Sequence, residues 1–69
     1  MDEEQWILEY TDHGVFWRED AGESRRQALA YADFLMVERG ASLARLLRPD
    51  GTVELEDKAL DEAAFNSGE

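Results

Sequence analysis

Ser24–Gly40 reads SRRQALAYADFLMVERG, and this stretch decides what the rest of the chain has to be. Ser24 followed three residues later by Gln27 is a capping box, so a helix is predicted to start near Arg25. The residues between are good helix formers, and Gly40 closes them as a left-handed cap. Ala28, Leu29, Ala32, Leu35 and Met36 recur at helical spacing and form a wide apolar stripe. Tyr31 and Phe34 flank the stripe, while Arg26, Asp33 and Glu38 face water. A helix with one apolar stripe must bury it against another layer, and the alternating segments on either side make that layer a sheet.

The flanking segments supply that sheet. Gln5–Tyr10 alternates Trp6, Leu8 and Tyr10 against Ile7 and Glu9, the period of a strand. Thr11–Gly14 is a turn cluster in which Gly14 can take a positive φ. Val15–Glu19 returns, so the two form a hairpin. After the helix, Ala41–Arg48 alternates again, with Leu43, Arg45 and Leu47 against Ala44 and Leu46. "RPDG" then puts Pro49 and Asp50 at the centre of a type I turn, with Gly51 in the bulge. Thr52–Glu56 is the return strand, with Val53 and Leu55 expected inward and Glu54 and Glu56 outward. Asp57 can cap a short final helix over Lys58–Phe65. The expected fold is α+β: a four-stranded antiparallel sheet in ββαββ order, with one main helix on one face and a short C-terminal helix, in a single domain over 1–69.

Sixty-nine residues bury only about 60% of the surface their unfolded chain exposes. The large aromatics Trp6, Phe16, Trp17, Tyr31, Phe34 and Phe65 are therefore expected to supply much of the core. Cysteine is absent, so neither disulfides nor thiolate metal sites are available. A small domain without such staples fits a reducing cytosol. The N-terminus opens with acids and lacks the basic and apolar regions of a signal peptide. No apolar run approaches the roughly 20 residues of a membrane span. A soluble, monomeric, cytoplasmic protein is expected.

Seventeen Asp and Glu against seven Lys and Arg leave a net charge of −10. That charge argues against binding DNA, RNA or an anionic membrane directly, since all three would repel it. It favours a cationic partner. The competing explanation is that excess acid only keeps a small protein soluble, with adaptation to high salt as a variant.

No constellation for catalysis, cofactor binding or metal binding is present. His13 is the only histidine and lies in a turn. Ser24 is explained as a cap, and Ser42 has no histidine near it in sequence. Gly-rich phosphate loops and calcium-loop spacings are missing. Asp50, Glu54, Glu56 and Asp57 lie close in sequence, but Glu54 and Glu56 would leave one strand face in parallel and would not converge on an ion. An enzyme is not expected.

The same parallel geometry suggests another use. Residues two apart on a strand lie roughly 6.6 Å apart on one face, a pitch similar to that of phosphates along a nucleic-acid strand. Glu54 and Glu56 would begin such a line, and Asp57, Asp61 and Glu62 would extend it beyond the sheet. Asp2, Glu3, Glu4 and Glu9 would add a second patch if the first strand lay beside the last.

From Trp6 to Glu56, the "GVFW" strand, the Ala-rich helix with its following Gly, and the "RPDGTVELE" hairpin resemble a family of small bacterial ββαββ domains of unknown function. That resemblance implies the fold alone. In size, acidity and lack of catalytic groups, the chain also looks like phage-encoded anti-CRISPR proteins, several of which present DNA-like negative charge to a Cas complex. This second resemblance implies a type I Cascade subunit or a Cas nuclease as partner, in a bacterial host cell. The expected function is a non-enzymatic acidic inhibitor of a basic nucleic-acid-binding protein. The alternatives are a housekeeping domain acidic only for solubility, and an immunity or antitoxin protein for a cationic nuclease.

Overall fold

The computed structural model of the chain describes residues 5–67. Its first hairpin pairs β1 (Ile7–Asp12) with β2 (Val15–Asp20) through a two-residue loop. His13 and Gly14 both have positive φ, 53° and 80°, as a tight hairpin turn that matches strand twist requires. Glycine reaches that region without strain, and a histidine tolerates it better than most residues. The strands run a residue or two beyond their expected ends, because the register stays regular from Ile7 opposite Asp20 to Asp12 opposite Val15.

Helix α1 (Arg25–Arg39) has the expected limits. The Ser24 hydroxyl accepts from the Gln27 amide at 3.1 Å, while the Gln27 side-chain oxygen accepts from the Glu23 amide at 2.8 Å. Folding the Gln27 side chain back this way leaves no room for a Cβ at Gly22, where it would lie 2.9 Å from the Gln27 Cβ. At the other end Gly40, in the left-handed region, donates its amide to Met36 at 3.1 Å.

The second hairpin joins β3 (Ser42–Leu47) to β4 (Val53–Glu56). The Gly51 amide donates to the Arg48 carbonyl at 2.8 Å, which places Pro49 and Asp50 at the turn centre as expected. Asp50 braces the turn by accepting from the amide and hydroxyl of Thr52. The four strands form one antiparallel sheet in the order β2-β1-β3-β4.

Chain direction reverses at once after β4. Asp57 takes φ 52° and begins α2 (Asp57–Ser67), which is longer than the short helix expected. Its Leu60 and Ala64 are fully buried. Both helices therefore pack on the sheet: α1 lies against β1 and β3, and α2 lies beside α1 against β3 and β4.

Register assigns every side chain to a face. Glu19, Leu8, Leu46 and Leu55 form one row across all four strands on the helix side. Leu8, Leu46, Leu35, Leu60, Ala28, Ala32 and Ala64 make the centre of the core, with Tyr10 and Leu43 at its border. The expectation of an aromatic core is corrected here. Phe16, Trp17, Phe34 and Phe65 are 58, 44, 50 and 66% exposed, and only Trp6 and Tyr31 pack partly against the core. Close approach of two helices to a small sheet favours Leu and Ala, which fill the space without forcing the layers apart.

Candidate functional site

Among the described residues, no helix lies on the opposite face of the sheet, and its middle row is ionic. Arg18, Glu9, Arg45 and Glu56 face one another in register across β2, β1, β3 and β4. Arg18 and Arg45 close over the Glu9 carboxylate, with nitrogen–oxygen distances of 3.2 Å to Oε2 and 2.6 Å to Oε1. Their side chains remain about half exposed while that of Glu9 is 3% exposed. Glu9 is thus covered by its counter-ions, and the two guanidinium groups stay wet.

A second cluster forms where β4 departs from regular pairing. Leu46 faces Leu55 and Leu47 faces Val53, so Glu54 is the extra residue of a bulge. Its carboxylate meets Arg25 at the start of α1 and Arg48, each at 2.7 Å. The hydrogen bond from Arg25, with Arg48 nearby, holds the Glu54 carboxyl below its ordinary range. A third cluster sits at the first turn, where buried Asp12 receives His13 at 2.6 Å and Arg39 at 3.2 Å. Five arginines are therefore engaged by three carboxylates.

This arrangement corrects two expectations. Glu54 and Glu56 do not make a line on one face: the bulge turns Glu54 toward α1, whereas Glu56 stays opposite Arg45 on the far face. Glu9 joins no second acidic patch, because β1 lies beside β3 rather than the last strand and two arginines neutralise it. The other members proposed for that patch, Asp2, Glu3 and Glu4, lie outside the described residues.

Glu56, Asp57, Asp61 and Glu62 are exposed and stay together at the β4–α2 corner. Among the described residues, no ion pair engages any of the four. Asp57 and Asp61 are one turn apart on α2, and Phe65 follows Asp61 by four residues and Glu62 by three. Phe65 is 66% exposed, so the outer face of α2 combines an acidic stripe with an aromatic side chain. Sequence reasoning placed Phe65 in the core. Its spacing from Asp61 was the available signal, since a residue one turn beyond an exposed acid shares the outward face.

Arg18, Arg25, Arg45 and Arg48, which sort these acids into neutralised and open sets, were also missed. Arg45 and Arg25 reach Glu9 and Glu54 across 36 and 29 residues, through strand pairing and helix docking, whereas Arg18 and Arg48 meet the same acids within their own hairpins. Among the described residues, no group of three or more His, Asp or Glu is arranged to hold a metal ion. No helix among the described residues is long and apolar enough to cross a membrane. In comparisons with protein families, curated proteins and solved structures, nothing matches the chain.

Proposed function

We propose that the chain is a non-enzymatic inhibitor whose β4–α2 corner occupies the basic surface of a nucleic-acid-binding protein in place of a phosphate backbone. The observation that carries this reading is the contrast within its carboxylates. Five arginines gather on Glu9, Asp12 and Glu54, while among the described residues Glu56, Asp57, Asp61 and Glu62 have no ion-pair partner, and exposed Phe65 follows one turn beyond Asp61 and Glu62. Open carboxylates steer a cationic partner and meet its Arg and Lys in charge-assisted contacts. An exposed aromatic at the end of this series supplies the apolar anchor that acids alone lack. A Cas effector, the partner implied by the likeness to anti-CRISPR proteins, is the first candidate, and a bacterial cytoplasm would be the setting.

Single rim charges contribute little, so the test reverses several together. The Glu56→Lys, Asp61→Lys, Glu62→Lys protein should keep its circular dichroism spectrum and lose inhibition of DNA binding by the effector. The wild type should inhibit, more weakly at higher salt. Phe65→Ala should weaken inhibition without changing its salt dependence. Full inhibition by the folded triple variant would remove this corner from the mechanism.

A second reading has its own support, because acids are also exposed away from the corner, at Asp20, Glu23, Glu38 and Asp50. Charge spread this widely suits solubility alone. Failure of the wild type against every basic partner tried would favour that explanation.

A further inference from the structure

The two edges of the sheet are guarded differently. At one edge, β4 has four residues, contains a bulge and carries Glu54 and Glu56. Short length, a bulge and charge are the usual protections against strand-to-strand association. At the other edge, β2 has six residues, no proline and an unbroken register with β1, and its charges, Arg18, Glu19 and Asp20, are confined to its second half. Its Val15, Phe16 and Trp17 are 52, 58 and 44% exposed. Neither helix lies over it, although the Tyr31 hydroxyl reaches across to donate to Glu19 at 2.6 Å.

Charge is also muted beside this edge. Glu9, on the neighbouring strand, is outnumbered by Arg18 and Arg45, and Asp12 is held by Arg39 and His13. Arginines thus offset the two acids of β1, and of the charges on β2 itself, Arg18 answers one of Glu19 and Asp20.

We infer that two copies of the chain associate edge to edge through antiparallel β2 strands, about a two-fold axis at Trp17, to form one eight-stranded sheet. This replaces the monomer expected from composition, and it does not depend on the acidic corner.

Geometry limits the register. Opposed residues of antiparallel strands share a face, and a two-fold axis keeps each residue on the same face in both copies. Only registers in which a residue meets its own copy at the axis are allowed. Centring on Arg18 sets two like charges opposite each other, which is destabilising. Centring on Phe16 pairs only Val15 to Trp17, three of the six residues, whereas centring on Trp17 pairs five. Centring on Trp17 pairs Trp17 with itself on the helix side and Phe16 with the partner copy's Arg18 on the far side, twice by symmetry. Each of those far-side pairs sets a guanidinium beside an aromatic ring, a favourable contact. Val15 falls opposite the partner copy's Glu19.

Phe16 and Trp17 leave about 200 Å² of aromatic surface exposed per copy, taking a full aromatic side chain as roughly 150–250 Å². This is small beside the roughly 1,200–2,000 Å² of stable interfaces, so the association is weak and concentration-dependent.

Sedimentation equilibrium from about 10 µM to about 1 mM covers that range. The wild type should pass from monomer to dimer, and added NaCl should favour the dimer by screening two chains of like charge. Contact between the acidic corner and a basic partner responds to salt in the opposite sense, so the two proposals can fail separately. Trp17→Glu puts like charges across the axis and should raise the dimer dissociation constant by about tenfold or more. Val53→Glu, at the other edge, should leave it unchanged. Because the chain has no cysteine, Trp17→Cys gives an independent reading, and oxidation should yield a covalent dimer much faster than for Val53→Cys. If Trp17→Glu loses its circular dichroism spectrum, this cross-linking comparison decides. A wild type monomeric throughout, a dimer indifferent to Trp17→Glu, or equal cross-linking at positions 17 and 53 would overturn the inference. So would β2 amides that gain exchange protection only when a basic peptide is added, an outcome that would give this edge to a partner strand.

Discussion

Arg45 donates from Nε to Glu9 Oε1 at 2.7 Å across the β1–β3 pair, over a separation of 36 residues. The carboxylate it holds is almost fully buried on a sheet face that carries no helix. Arg45 is therefore both counter-ion and cover. Glu9→Gln removes the charge that holds both arginines and leaves an amide able to satisfy only part of the site. A loss of about 1–3 kcal/mol is expected, since both guanidinium groups can hydrate where they stand. Glu56→Gln, in the same row but exposed, should change stability by less than about 0.5 kcal/mol. Urea denaturation of the two variants makes the comparison, and equal losses would show that Glu9 is not a structural charge.

Core composition leads to a second contrast. Leu35 and Leu60 are 1% and 0% exposed, so either change to Ala should cost about 2–5 kcal/mol. Leu60→Ala is the sharper test, because it asks whether α2 is an integral layer of the fold. Phe34→Ala and Phe65→Ala remove more atoms from exposed positions and should each cost under about 1 kcal/mol. Thermal melts would reveal an inverted order, which would mean that α2 does not pack as described.

At alkaline pH the two tyrosines should limit stability. The Glu19 carboxylate that accepts its hydrogen bond pushes the Tyr31 hydroxyl far above its ordinary 10, and burial with Glu19 nearby raises Tyr10. A pKa raised on folding gives stability that is complete below pH 10 and lost as pH climbs toward the folded value. Absorbance of the folded protein should therefore show tyrosine ionisation displaced upward, and unfolding should ease above about pH 10. Glu19→Gln should bring the Tyr31 transition down. An unshifted transition in the wild type would contradict the bond.

On the acid side the sign reverses. Arg25, with Arg48, lowers the Glu54 pKa below its ordinary 4.5. Glu54 then stabilises the fold above pH 4.5, and this contribution disappears as pH falls through the lowered value. Stability curves from pH 7 down to about pH 2 should be flatter for Glu54→Gln than for the wild type. The two arginines stay about half exposed, so the difference should be modest. Parallel curves would show that the bulge cluster does not couple to folding.

Net charge gives the last prediction. With five arginines gathered on three carboxylates, most of the remaining acids repel one another. Raising NaCl from low concentration to about 0.1 M, where the Debye length is about 10 Å, should increase the melting temperature. A flat or falling value would mean that local pairing already compensates the acids.

The sequence by itself determined everything that depends on neighbours along the chain. Ser24 and Gln27 began α1 where expected, Gly40 ended it, and "RPDG" and "DHG" turned the two hairpins, because caps and turns are set within a few residues. Alternation put Leu55 inward, as the structure has it, but it also put Val53 inward, which is 39% exposed, and it did not choose between the two faces of β3. The tertiary structure alone decided which carboxylates stay open. Glu9 and Glu54 look no different in sequence from Glu56, yet long-range contacts bring Arg45 to one and Arg25 to the other, where each joins an arginine of the acid's own hairpin. It also decided that the core is Leu and Ala while Phe16, Trp17, Phe34 and Phe65 face out, since hydrophobicity says that a side chain can be buried but not whether a layer will cover it. A one-residue bulge at Glu54, invisible to periodicity, was enough to break the expected line of charge, because in a strand each residue of offset exchanges one face for the other.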